Sequence, residues 1–464
     1  MTTLLATLIA LATLAFGGVY FWGFVPLFGA AAVIGVAGLY RTGLHPALRT
    51  VAFALVVVCV AGTAQLVPMP TGMLALVSPA TLPLVGTYDL AFAGATDWAP
   101  LSIRPQKTAV AVASMIALSL YLLGLPGLLW PRRLRALPGG LAIVAVPIAL
   151  YGIFTREYNN GLIYGFWQPQ DGGGGNQFGP FINRNHFGGW MVMTLGLLVG
   201  SLLGRIEGAV RDSRRPQFNS TWLSSSAANR LMLIAGVVVL GAVAIFWSLS
   251  RSSIVSFTAL VAMFIWLASR RRRLGETRKR LAIISIGGAL VAGLLWRGPD
   301  RVLAWFQDDR NLVSRVETWR DAWDVIRAFP LFGTGLNTFS EAMLFYQTRN
   351  PGFHMAQAHN DYVQLAAEGG LLVVLPAMAV AVSLGSAILR NLRAARPESR
   401  GYWIRVGASV GIVAVAIQET VEFSLQIPVN AFLFATLVAV ALTPVVADNG
   451  GSRPRLRSAG GLSD

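Results

Sequence analysis

Residues 230–249 read RLMLIAGVVVLGAVAIFWSL, a run of twenty residues whose one charged side chain, Arg230, stands at its start. An apolar run of about 17 to 25 residues is long enough to cross a bilayer as an α-helix. About twelve such runs lie near residues 2–20, 22–40, 50–68, 108–130, 138–155, 186–204, 230–249, 252–269, 281–297, 369–389, 403–420 and 428–447. The sequence therefore predicts an all-α polytopic membrane protein with about twelve transmembrane helices, residues 1–464 forming a single transmembrane domain.

The composition excludes the other broad classes of protein. Of the 464 residues, 55% are hydrophobic and 12% are charged, whereas about a quarter of the residues in an ordinary soluble domain carry charge. The 49 Gly and 23 Pro residues lie among long apolar runs without a Gly-X-Y period, which excludes a collagen-like or disordered chain. The single cysteine, Cys59, excludes an intrachain disulfide and a thiolate metal cluster.

The net charge of +16 is distributed according to a membrane topology. If the N-terminus is cytoplasmic, the inner connections and the C-terminal tail hold 25 of the 37 basic residues and only 6 of the 21 acidic ones. This positive-inside pattern predicts cytoplasmic termini and explains the basic balance without a nucleic-acid partner. The long connections, residues 69–107, 156–185 and 298–368, then lie outside, so we expect the chemistry there.

The largest outer loop, residues 298–368 before the tenth span, is predicted to contain an amphipathic helix ending at Pro330. At 100° per residue its apolar stripe consists of Trp319, Ala322, Trp323, Ile326 and Phe329. Arg315 points into the middle of this stripe, so it either snorkels from the helix start or is held inward for an anionic partner. Trp319 is suited to stacking on a sugar ring, and core packing is the alternative.

His359 stands at the outer start of the tenth span, in the sequence Ala358-His-Asn-Asp-Tyr362. An imidazole titrates near working pH and suits a general base. The alternative is that Asn360 or Asp361 caps the helix and that His359 is a bystander. The nearby turn Phe332-Gly-Thr-Gly335 is either a plain turn, which we favour, or a backbone cradle for phosphate.

Three further polar clusters lie at the outer ends of spans. They contain Arg251 between the seventh and eighth spans, Arg184 and His186 before the sixth span, and Glu419, Glu422 and Gln426 in the last outer turn. Arg251 lies so near the hydrocarbon that it needs a partner, unless it snorkels to the interface. The two acids either balance the arginines or are solvated.

The motifs occur in an order that resembles a known family. Ser250-Arg251-Ser, the segment from Arg315 to Gly335, and His359-Asn360 with Glu368-Gly369 follow one another on the same face. With the predicted spans, they resemble the O-antigen ligase and Wzy polymerase family of bacterial inner-membrane glycosyltransferases over most of residues 80–440. The resemblance implies a GT-C-like fold and a glycan donor carried on undecaprenyl diphosphate. It also implies periplasmic transfer to lipid A core, to a growing O-antigen or exopolysaccharide, or to protein.

The resemblance further implies catalytic roles for Arg251, Arg315 and His359. Two guanidinium groups can grip a diphosphate without a metal, while the histidine takes the proton of the acceptor hydroxyl and the displacement inverts the anomeric carbon. The expected substrate-binding residues are Arg184, His186, Asn360, Trp319, Glu368 and Glu422. We expect no metal or other cofactor, since the chain has no Asp-x-Asp motif and Asp308-Asp309 is the nearest pair.

A lipid-linked glycan flippase or another secondary transporter is the alternative from a different class. Such a protein places polar or broken helices near the bilayer midplane. Here the predicted spans are almost free of charge and the polar residues gather at outer helix ends, which favours an enzyme. Ligase and polymerase activity both stay open, because acceptor choice depends on the shape of the groove between loops.

Overall fold

The computed structural model describes residues 1–89, 97–129, 131–158, 160–169, 176–209, 224–270, 276–307, 310–349, 352, 354–394 and 400–443. Almost all of these residues are helical. The helices are α1 (Thr2–Leu14), α2 (Phe21–Thr42), α3 (Arg49–Ala64), α4 (Thr71–Val77), α5 (Thr81–Tyr88), α6 (Pro105–Leu128), α7 (Pro131–Glu157), α8 (Arg184–Ala209), α9 (Ser226–Ser248), α10 (Arg251–Arg270), α11 (Glu276–Arg297), α12 (Pro299–Gln307), α13 (Arg310–Ala328), α14 (Phe339–Tyr346), α15 (Asp361–Ala394), α16 (Arg400–Gln418) and α17 (Pro428–Leu442). Short 3-10 helices span Phe16–Gly18, Pro46–Leu48 and Ser424–Gln426, and the strands β1 (Met69–Pro70) and β2 (Trp98–Ala99) pair antiparallel.

Each predicted span coincides with a helix. Among the described residues, nine helices are long and apolar enough to cross a membrane, and Thr2–Leu14, Ala282–Arg297 and Pro428–Leu442 are shorter apolar segments. An all-α polytopic membrane protein is thereby confirmed, whereas the count of twelve and the GT-C-like arrangement stay predictions. Most of the basic inner connections, at 210–223, 271–275, 395–399 and after 443, lie outside the described residues, as does the pair Asp308-Asp309.

Helix α8 forms the centre of the bundle. Residues 186–204 are all buried, so this span packs against other helices along its length. It crosses α16 where Gly200 of one helix faces Gly407 of the other, and a Cβ added to Gly200 would lie 2.9 Å from the Gly407 Cα. Small residues at such a crossing allow two helix backbones to approach closely. The outer end of α8, which carries Arg184 and His186, is therefore anchored in the core of the bundle.

Helix α13 is the amphipathic helix predicted in the outer loop, and it ends just before Pro330. The residues it buries include Ala322, Val325 and Phe329. The predicted stripe also contains Trp323, whose side chain is 51% exposed. Asp321 is buried instead, and its Oδ1 accepts a hydrogen bond from Arg349 Nη1 at 2.6 Å. The partner Arg349 is 38% exposed, so this ion pair reaches from the buried face of the helix to the surface.

Helix α15, which contains the tenth predicted span, is interrupted at Gly370. The φ of +54° and ψ of −167° at Gly370 are accessible to glycine and leave the helical region. Upstream of this break, Ala367 O accepts from Thr334 N at 3.1 Å and Glu368 O accepts from Gly335 N at 2.9 Å. The glycine-containing turn after α13 is thereby docked on α15, and these two N–H groups bind backbone carbonyls as in a plain turn.

Candidate active site

The candidate residues gather at the outer end of the bundle. Five segments meet there: the first turns of α8 and α10, the N-terminal part of α13, the residues that lead into α15, and the connection 419–427 between α16 and α17. Their polar side chains surround one carboxylate, Glu422, whose side chain is 1% exposed. The folded chain therefore brings together the predicted residues Arg184, Arg251, Arg315 and His359 around a group whose partners the sequence left open.

Glu422 is held by donors from three helices. Arg315 Nη2 donates to Glu422 Oε1 at 2.5 Å, and Arg315 Nη1 donates to Val421 O at 2.6 Å. Asn185 Nδ2 donates to the same Oε1 at 2.6 Å, and Ser252 Oγ lies 3.4 Å from it. Arg315 thus points inward toward an anion, as the second alternative for this residue predicts, and the anion in this structure is the protein's own carboxylate.

Glu422 keeps its charge although it is buried. Burial by itself raises the pKa of a carboxyl group, but the interactions with His359, Arg315 and His186 favour the charged form and outweigh it. The pKa of Glu422 therefore lies below its ordinary value. The carboxylate consequently stays negative at neutral pH.

Two histidines flank the ring of Phe423 beside this carboxylate. The His186 and His359 ring centroids lie 4.6 Å and 4.9 Å from that of Phe423, both edge to face. His359 Nδ1 lies 3.7 Å from Glu422 Oε2, an ion-pair distance that is longer than a hydrogen bond. His359 also has φ +49°, in the left-handed region that few non-glycine residues occupy, where the chain turns into α15.

Four arginines gather around the single carboxylate. Arg184 begins α8, and it lies within electrostatic range of Arg156, Arg251, Arg315 and Glu422. Arg156 also interacts with Glu157, at the end of the same helix. Sequence analysis missed Arg156, and its place in the last outer turn of α7 was the available signal.

Two amide side chains fix the helix ends around this cluster. Gln418 Nε2, at the end of α16, donates to Asn185 O at 2.9 Å and to Ser424 Oγ at 3.2 Å. Asn430 Nδ2, in the first turn of α17, donates to His186 O at 3.0 Å. Sequence analysis missed these amides. Their position at or inside apolar runs was the signal, because a polar side chain near hydrocarbon needs a partner.

Asn360 and Trp319 hold the backbone on the two sides of His359. Asn360 Oδ1 accepts from two N–H groups of the first turn of α15 at 3.0 and 3.1 Å, which makes Asn360 the helix cap, and its Nδ2 donates to Thr420 O at 2.8 Å. Trp319 Nε1 donates to Ala358 O at 2.8 Å. Substrate binding by either residue stays a prediction.

Glu368 makes its hydrogen bonds away from this cluster. Its carboxylate accepts from Asn337 N at 2.7 Å, from Phe339 N at 3.0 Å and from Gln364 Nε2 at 3.1 Å. These bonds anchor the turn that links α13 to α14 onto α15. The structure therefore places Glu368 in the scaffold behind the site, and substrate binding by this residue stays a prediction.

Glu419 differs from the other acid of the same connection. Burial, together with the negative charge of the adjacent Asp361, raises the pKa of Glu419 well above its ordinary value. Leu425 N lies 3.4 Å from Glu419 Oε2, and Gln426 Nε2 donates to Asp361 Oδ1 at 2.7 Å. The pKa values of two acids three residues apart are therefore shifted in opposite directions, that of Glu422 downward and that of Glu419 upward.

Within the described ranges, no group of three or more His, Cys, Asp or Glu side chains is placed to hold a metal ion. The pair Asp308-Asp309 is not among the described residues. Metal independence therefore stays a prediction.

Comparison with known protein families gives a match over part of the chain. Residues 236–378 match the family model Wzy_C, described as O-antigen ligase, and this segment contains Arg251, Arg315 and His359. No curated protein matches the chain significantly. The match confirms the resemblance drawn from the sequence motifs, over the part of the chain that it covers.

Proposed function

We propose that the protein transfers a glycan from undecaprenyl diphosphate to an acceptor hydroxyl on the periplasmic side of the bacterial inner membrane, with inversion and without a metal. The termini are then cytoplasmic. The observation that carries the proposal is the cluster in which Arg184, Arg251 and Arg315 surround Glu422 beside His359. A cationic cluster at outer helix ends suits a lipid-linked anion, and an adjacent imidazole suits proton transfer.

The arginines supply the stabilisation that the leaving group requires. A diphosphate leaves with added negative charge, so it needs positive partners more than it needs a general acid. The planar fork of arginine matches two phosphate oxygens at once. A diphosphate that enters the cluster also replaces repulsion among Arg156, Arg184, Arg251 and Arg315 with attraction.

His359 is the base in this proposal. The acceptor oxygen forms a bond to the anomeric carbon while the bond from that carbon to the diphosphate oxygen breaks, and the electron pair leaves with the diphosphate. The hydroxyl proton moves to the imidazole. A single displacement of this kind inverts the anomeric carbon, and positioned proton transfer contributes about 10²- to 10⁴-fold in rate.

The placement of the charged residues favours an enzyme over a transporter. A secondary transporter binds its substrate near the bilayer midplane, at the interface of internal repeats. In the described part of this chain, the arginines and histidines of the site lie in or next to the end regions of helices, at one end of the bundle.

Purified protein and a glycan on undecaprenyl diphosphate test the proposal, with lipid A core and a second lipid-linked glycan offered as competing acceptors. Product on lipid A core identifies a ligase, and a ladder on the lipid carrier identifies a polymerase. We expect His359→Ala to abolish the product, whereas His354→Ala, an exposed outer histidine that contacts Ser340, retains it. If neither acceptor yields a His359-dependent product, the proposal is overturned and the transporter alternative is favoured.

A further inference from the structure

The two carboxylate oxygens of Glu422 have different surroundings. Oε1 accepts hydrogen bonds from Arg315 and Asn185 at 2.5 and 2.6 Å. Oε2 is buried and makes no hydrogen bond to any described residue. Burying a carboxylate oxygen without a hydrogen-bond donor costs free energy. Its burial therefore indicates that a donor approaches Oε2 during the reaction.

Nδ1 of His359 is the atom that faces this oxygen. It lies 3.7 Å from Glu422 Oε2, and it too is buried without a hydrogen bond inside the described ranges. A movement of less than about 1 Å brings the two atoms within hydrogen-bonding distance. Catalytic hydrogen bonds are often long in a substrate-free enzyme and shorten in the complex with substrate.

We propose that Glu422 is a positioning residue that holds the proton of His359 on Nδ1 and so leaves Nε2 to receive the acceptor proton. The inference rests on the proposed transferase function. A neutral imidazole carries one proton, and the partner of each nitrogen decides where that proton lies. When the acceptor O–H bond breaks and its proton binds Nε2, the new positive charge forms beside the Glu422 carboxylate, which stabilises it.

Arg315 and Asn185 both donate to Glu422 Oε1, so the orientation of an amide that replaces this carboxylate can be predicted. In Glu422→Gln, only the carbonyl oxygen of the new amide can accept from both donors. The amide NH₂ group then lies where Oε2 was and donates to His359 Nδ1. This substitution therefore moves the imidazole proton to Nε2, the nitrogen that must be free for the base to work.

Solid-state NMR of the protein in lipid bilayers, with ¹⁵N-labelled histidine rings, reads this proton directly. The chain has only four histidines, so the His359 signals are assigned by their loss in His359→Ala. The spectra are recorded at about pH 8.5, which is above the titration range of an ordinary imidazole, so that such a ring carries a single proton. We expect a protonated Nδ1 in the wild type and in the control Glu419→Gln, and a protonated Nε2 in Glu422→Gln.

The activity of the same variants provides the second readout. We expect kcat to fall by about 10²- to 10⁴-fold in Glu422→Gln, to recover in part in Glu422→Asp, and to stay near the wild-type value in Glu419→Gln. The inference is overturned if Nε2 is protonated in the wild type. It is also overturned if Glu422→Gln keeps the wild-type tautomer or has the same kcat as Glu419→Gln. Full activity of His359→Ala would instead overturn the proposed function. The tautomer is measured without substrate, so failure of the inference and failure of the proposed function are distinguishable.

Discussion

Replacing Arg315 with lysine keeps the positive charge and removes the guanidinium fork. The Arg315 Nη1 and Nη2 atoms bind Val421 O and Glu422 Oε1 at 2.6 and 2.5 Å. One ammonium on a shorter reach cannot hold both positions, so at least one charge-assisted hydrogen bond is lost. Such a bond contributes about 1.5–3 kcal/mol, which corresponds to about a ten- to 150-fold change in rate or affinity. We expect kcat/KM for the lipid-linked donor to fall by this factor in Arg315→Lys.

The assay is the initial rate of glycan transfer by the purified enzyme, with inorganic pyrophosphate as a competing anion. Arg320→Lys is the matched control, because Arg320 lies on the exposed face of the same helix. If the Arg315 fork contacts the diphosphate, pyrophosphate should inhibit Arg315→Lys more weakly than it inhibits the wild type or Arg320→Lys. Equal transfer rates and equal inhibition in the two variants would refute the reasoning and leave Arg315 as an anchor for the connection 419–427.

Three other perturbations separate catalysis from stability. Chelation with EDTA should leave the transfer rate unchanged, and a loss that Mg²⁺ restores would contradict metal independence. Glu368→Ala leaves the N–H groups of Asn337 and Phe339 without their acceptor, so the free energy of unfolding should fall by about 1–3 kcal/mol for each. The control Glu341→Ala removes a partly exposed ion pair with Lys107 and should cost less than about 1 kcal/mol in the same denaturation series. The raised pKa of Glu419 means that the folded state favours its protonated form, so Glu419 destabilises the fold increasingly as the pH rises above the ordinary carboxyl range. Glu419→Gln should therefore raise the unfolding temperature relative to the wild type more at pH 9 than at pH 5, and an equal difference at both pH values would contradict this.

The fold was predictable because each span carries its own signal. A run such as residues 230–249 is long and apolar enough to predict a helix without knowledge of its neighbours. The same signal does not distinguish a span in the centre of the bundle from one that faces lipid, since both are apolar. The sequence for this reason did not single out residues 186–204, whose complete burial depends on packing with α16.

The sequence predicted the position of a site residue only where its angular position around a helix was enough to show which way its side chain points. The 3.6-residue period placed Arg315 on the inner face of its helix, and it does point inward. Trp323 occupies the same predicted face and is exposed, whereas Asp321 is buried and forms an ion pair with Arg349. That ion pair joins residues 28 positions apart, and no local pattern reports such a contact.

The contacts of Glu422 likewise left no local pattern in the sequence, and they explain why an acidic residue lies among these arginines. Asn185, Arg315, His359 and Glu422 are distant in sequence and meet only in the folded chain. Guanidinium groups close together repel one another, and the charged carboxylate of Glu422 reduces this cost. Because Oε1 accepts from the arginine and Oε2 faces the histidine, one side chain connects the proposed donor-binding arginine to the proposed base. A change in the hydrogen-bonded ion pair between Arg315 and Glu422 should therefore alter proton transfer by His359 as well as donor binding. For this reason Arg315→Lys and Glu422→Gln should show non-additive losses of transfer activity in a double-mutant cycle.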